Sequence, residues 1–164
     1  MKPIPEGIVE KTWQEMAGFN PDTGKREMTK IGNIQPDLLA FVMESPKEMS
    51  QEVRELAIYI FLVAYRVFEK AHAEIKKISS VEIVKCYEHN EALVDRLEGA
   101  HERFLDRIAS LQTSKQPHVG NYVVDALMEE NETEGAVTLT EEQKGFLYLP
   151  LKTVIDVLDQ SGIE

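Results

Sequence analysis

Glu69 and His72, and again Glu98 and His101, stand three residues apart in stretches rich in good helix formers. On a helix this spacing puts a carboxylate and an imidazole on one face, one turn apart. Two such pairs brought together would offer hard oxygen ligands able to bridge divalent cations, and a nitrogen ligand for each. A bridged pair also requires lone carboxylates from two further helices, set mid-helix and facing inward. The chain offers Glu44 at a helix end, Asp125, and Glu142 in a first turn, so the set is poorly completed. With 22 glutamates among 164 residues, solvated histidines with a chance glutamate nearby are the plainer account.

Ferritin-like metal-carboxylate bundles are built on this geometry, and Glu69, His72, Glu98 and His101 are the candidate ligands of a divalent metal under that alternative. A second constellation is the acidic stretch Glu129–Glu141. Counted from Glu130, acids fall at places 1, 3, 5 and 12 and Gly135 at 6, which mimics a Ca²⁺-binding helix–loop–helix. Glutamate is too long for places 1, 3 and 5, and capping boxes at Thr138–Glu141 and Thr140–Gln143 explain the same residues without metal. A third is the stripe Glu88, Glu91, Asp95, Glu98 and Glu102, a solvated face or a surface relieved by a basic partner. Nucleophilic catalysis has no support: Cys86 precedes His89 by one turn, but no elbow or oxyanion loop accompanies them. Asp22-Thr23-Gly24 copies an aspartic-protease triplet without flanking strands, and lies in an Asn-Pro-Asp-Thr-Gly-Lys turn. There is no Gly-rich phosphate loop and no zinc-like Cys/His set.

The elements that must position these residues are helices. The stretch Leu56–Phe68 is apolar except for Arg66, has no Gly or Pro, and is too short for a membrane span. It reads as the core of a helix over 51–77, capped by Ser50 and buried on all sides by neighbours. Four more helices are expected at 36–44, 80–112, 117–130 and 141–160, with a shorter amphipathic one at 5–17 stopped by Gly18 and irregular chain over 25–34. The 80–112 helix opens with a Ser79–Glu82 capping box. Its seam runs Ile83, Tyr87, Asn90, Val94, Leu97, His101, Phe104, Ile108 and Leu111, a coiled-coil-like stripe. Gln35-Pro36 and Gln116-Pro117 open similar helices, each followed by a hydroxyl-capped apolar helix at Ser50 and Thr140. This points to a duplicated helix pair about a pseudo-two-fold axis, with nine extra residues in the second copy and a kink at Pro150.

The fold class is therefore an all-α antiparallel helical bundle around a buried central helix. One domain is expected over 1–164, organised as 1–34, 35–79, 80–115 and 116–164. The net charge of −11 is concentrated in residues 116–164, which hold ten acids against two lysines. Such a balance repels phosphate backbones and anionic lipid, so partners should be basic. A single cysteine and the absence of an apolar leader suit the cytoplasm. The expected function is non-enzymatic: a protein-interaction or self-association module, dimeric or bound to another protein through the long helix, with no cofactor, nucleic acid or membrane.

Overall fold

The computed structural model describes residues 2–95, 115–129 and 139–163. In chain order these form α1 (Glu6–Ala17), α2 (Pro21–Ile34), α3 (Pro36–Glu44), α4 (Gln51–Ala71), β1 (Glu74–Ile75), α5 (Ser80–Asp95), α6 (Pro117–Met128), α7 (Glu141–Ser161) and β2 (Gly162–Ile163). The fold is all-α, with one short antiparallel strand pair, Glu74 opposite Ile163 and Ile75 opposite Gly162.

Local chemistry sets the helix starts. Ser50 Oγ accepts the Val53 N–H at 3.3 Å, capping α4. Ser79 and Glu82 cap α5 reciprocally, at 2.8 and 3.2 Å, and Thr140 and Gln143 do the same for α7, at 3.0 and 3.1 Å. Residues 20–34 correct the expected turn and irregular arm, because they form α2. Asn20 Oδ1 accepts the Thr23 N–H at 2.9 Å and Pro21 occupies the first helical position. The Asn-Pro pair is a helix start, and Asp22-Thr23-Gly24 lies in the first turn, far from a strand-flanked protease loop.

The central helix is present but shorter than expected: α4 stops at Ala71, not at residue 77. Ile60, Phe61, Val63, Val67 and Phe68 are fully buried, each contributing about 1.5–3 kcal/mol through loss of apolar area to water. The burial is not all-round, since Leu56 and Ile58 are half-buried and Tyr59 is exposed. The first half of the expected long-helix seam is used inside the chain. Ile83 and Asn90 are buried, with α5 packed on α7 and α3. That half cannot serve as a dimer seam; residues 96–114 lie outside the described residues, as do the seam positions from Leu97 onward. The acids Glu88 and Glu91 are exposed, while Glu98 and Glu102 fall outside.

The repeat is larger than a helix pair. Gln35 and Gln116 share one backbone conformation (φ −134°, ψ 62° and φ −124°, ψ 70°), and both side chains are buried. The Ile78 N–H donates to Gln35 Oε1 at 2.9 Å, and Gln35 Nε2 donates to the Lys76 carbonyl at 3.0 Å. The Ile4 N–H donates to Gln116 Oε1 at 2.8 Å, and Gln116 Nε2 donates to the Lys2 carbonyl at 3.2 Å. Each amide thus clamps a Lys-x-Ile tripeptide, Lys76-Lys77-Ile78 or Lys2-Pro3-Ile4, that leads into the first helix of the other repeat. Superposing these anchors aligns α1 with α5, α3 with α6 and α4 with α7, the last two being 21 residues each. Packing follows: α1 lies on α4 and α6 as α5 lies on α7 and α3, while α4 and α7 pack on each other. Buried positions coincide in Val9 and Ile83, Met16 and Asn90, Leu38 and Val119, Val67 and Val157, and Phe68 and Leu158.

The two ends meet where the repeats cross. His72 in the first repeat corresponds to Gly162 in the second, and they touch. A Cβ on Gly162 would lie 2.4 Å from His72 Cδ2, so only glycine admits the imidazole. Ala73 N–H donates to the Ile163 carbonyl and Lys76 N–H to the Ser161 carbonyl, both at 2.9 Å.

Two expectations follow for stability. Gln35→Ala or Gln116→Ala strips partners from one buried and one part-buried backbone group and should cost about 1–3 kcal/mol each, read from urea unfolding midpoints. A loss below about 0.5 kcal/mol in both would remove the clamps from the account. Gly162→Ala should destabilise by about 1–3 kcal/mol through overpacking. Combined with His72→Ala it should cost less than the sum of the two single changes; strict additivity would show that the contact carries no strain.

Candidate functional site

Glu69 sits in the last turn of α4, half-buried, with Lys30 Nζ at 3.7 Å and the Arg66 guanidinium at 3.9 Å. His72 caps the helix in extended backbone (φ −121°, ψ 147°), so the three-residue spacing does not place the pair on one helical face. Its ring is 9% exposed, lies 5.6 Å from the Phe68 ring centroid, and neither nitrogen has a hydrogen-bond partner among the described residues. Glu98 and His101 lie outside the described residues. The lone carboxylates Glu44, Asp125 and Glu142 are all exposed. Among the described residues no three metal-binding side chains gather at one point. Of the acids in the Ca²⁺-loop candidate, Glu130–Glu141, only Glu141 is described, and its carboxylate lies 3.4 Å from Lys144 Nζ.

Cys86 is buried, and its thiol is pushed up to about 11, chiefly by burial and then by the Asp156 carboxylate. It works as a packing residue within a polar cluster joining α5 to α7. Asn90 Nδ2 donates to Thr153 Oγ1 and Asp156 Oδ2, both at 3.1 Å, while Lys152 Nζ donates to Asn90 Oδ1 at 2.9 Å and to Asp156 at 2.7 Å. The buried amide is fully satisfied, so Asn90 specifies the α5–α7 register.

Among the described residues a concave surface lies elsewhere, between α1, α4 and α6: a cleft of about 920 Å³. Three aromatic side chains line it. Trp13 is 40% exposed and Tyr59 37%, with half-buried Tyr122 beside them. Burial raises both phenol pKa values, Tyr122 more strongly, and the Glu129 carboxylate adds to each. The tyrosines therefore present neutral rings and O–H donors. Glu6 and Glu10 line the cleft from α1, Asp125 from α6 and Glu129 from the residue just past α6; among the described residues no Lys or Arg lines it.

This cleft has a twin. By the alignment of repeats, Trp13 corresponds to Tyr87 and Tyr122 to Phe41. Phe41 and Tyr87 meet edge-to-face at 5.8 Å and close the α3–α5 seam. Their counterparts in the cleft make no ring contact with one another among the described residues, and the seam between them stays open. By spacing, Trp13 shares one side of α1 with Ile8, Val9, Thr12 and Met16; of these Val9, Thr12 and Met16 are buried, while Trp13 is exposed. The signal that could have singled it out is the Lys-x-Ile register, which pairs it with Tyr87.

No family model, curated protein or solved structure matches the chain.

Alkaline pH should destabilise the fold. The thiol of Cys86 is raised from 9.0 to about 11, and the phenol of Tyr65 from 10.0 to about 12, in both cases first by burial. Above pH 9 the unfolded chain releases these protons while the folded chain keeps them, so the stabilisation present below pH 9 is lost as pH climbs toward 12. Urea midpoints at pH 8, 10 and 11 should fall steadily, and less steeply in Cys86→Ala; a flat profile would contradict the burial assigned to these groups.

Proposed function

We propose that this chain is a non-enzymatic helical interaction module that receives a protein partner in the cleft between α1, α4 and α6. The observation that carries this is the open seam itself. Trp13, Tyr59 and Tyr122 are held exposed or half-exposed along a concave surface whose twin is closed by its own rings. Large aromatic side chains in a pocket are the usual anchors of protein recognition. The neutral phenols add hydrogen-bonding surface without adding a nucleophile, and the Cys86 thiol is buried away from the cleft. No helix among the described residues is long and apolar enough to cross a membrane. The acidic balance and single thiol fit a cytoplasmic chain that avoids nucleic acid. The ferritin-like alternative is less well supported, because Glu69 is engaged by Lys30 and Arg66.

Selection of a random peptide library on the whole chain tests the proposal. Binders should lose affinity about tenfold or more, near 1.4 kcal/mol, in Trp13→Ala when measured by calorimetry. No enrichment, or binders indifferent to Trp13, would overturn it.

A further inference from the structure

We propose that the occupant of this cleft is a basic amphipathic helix of another protein, an inference that rests on the interaction-module reading. Shape comes first. The lining residues run along α1 from Glu6 to Ala17 and along α6 and its C-cap from His118 to Glu129, three turns on each wall. At ~1.5 Å per residue that is a trough of roughly 16 Å, too long for a point cation and matched to three turns of a bound helix.

Charge comes second. Acids line both walls and, among the described residues, no lysine or arginine lines them, so a partner with cationic flanks meets complementary charge on each side. The acids of the α1 wall are not inherited from the repeat. At the twin positions Ser80 and Val84 replace Glu6 and Glu10, while Glu44 and Glu48 stand where Asp125 and Glu129 do, Glu44 being paired with Lys47. The α1 acids therefore accompany the open seam and are missing from the closed one. The aromatic side chains complete the match, because Trp13, Tyr59 and Tyr122 offer apolar area to leucine-like anchors and ring faces to the ammonium or guanidinium groups beside them. A second copy of the chain is the poorer occupant, since each copy carries a net charge of −11.

The chain has a single tryptophan, so its emission reports on this cleft directly. The whole protein is titrated with a synthetic Leu/Lys amphipathic peptide of about four turns, its Leu/Glu counterpart, and a scrambled Leu/Lys peptide that cannot form an apolar face. The Leu/Lys helix should blue-shift Trp13, gain helicity by circular dichroism, and bind about tenfold or more tightly than either control, weakening as salt rises. The double variant Glu10→Gln/Asp125→Asn should lose about tenfold in affinity with its melting temperature unchanged. Glu88→Gln/Glu91→Gln, on the exposed face of α5, should stay within about twofold, which separates docking from general attraction to an acidic protein.

Equal binding of the acidic or scrambled peptide, or equal losses in the two double variants, would overturn the proposal. Self-association that depends on Trp13 and excludes the peptide would overturn it in favour of a second copy. Trp13-dependent library binders that are neutral or acidic would leave the interaction module standing and remove the basic helix; an absence of any Trp13-dependent binder would remove both.

Discussion

Burial of one helix by its counterpart is the constraint on which the remaining structure depends. Helix α4 carries too much apolar surface to stand in water, and α7, of the same length, covers it. Each then needs further cover, which the short helices of both repeats provide. The arrangement is reciprocal: α6 leans on α4, and α3 on α7. Neither repeat can satisfy its own surface, so the two form one interdependent core. The Gln35 and Gln116 amides tie the repeats together, each holding the segment that leads into the first helix of the other. At the crossing of the two long helices, symmetry gives way to fit, with an imidazole on one side and a glycine on the other.

That same near-symmetry makes the cleft legible. Two equivalent seams exist, formed by α3 with α5 and by α1 with α6. One is sealed by Phe41 against Tyr87 and backed by the Asn90 cluster; the other keeps its rings apart and collects carboxylates along its edges. A protein that needed only stability would gain by closing both. An exposed aromatic surface flanked by carboxylates costs stability when empty, and on the proposed reading it is kept for a partner.

Much of the fold was legible in the residues. The apolar run at Leu56–Phe68 dictated a buried helix, and Ile60 and Leu62 are buried within it. The caps at Ser50, Ser79 and Thr140 announced three helix starts, and the Gln-Pro openers pointed to the repeat. Other features depended on distant partners. The glutamates and lysines after Phe68 favour helix, yet α4 stops at Ala71 because the next residues pair with the C-terminal strand and enter the Gln35 clamp. Asn20-Pro21 supports a turn or a helix cap equally well until α2 packs on α3. Trp13 belongs to the apolar side of α1 by spacing, but whether it is covered depends on residues of α4 and α6, far away in the chain, that line the same cleft. The Glu-x-x-His pairing failed locally at Glu69 and His72, since the helix ended between them and the carboxylate was taken by cations.

The most direct test of mutual burial is native-state hydrogen exchange resolved along the chain. Amides of α4 near Ile60–Phe68 and of α7 near Leu151–Leu158 should be the slowest, and should exchange with one shared free energy equal to that of global unfolding. Exchange of one long helix through a separate, cheaper opening while the other stays protected would contradict the account.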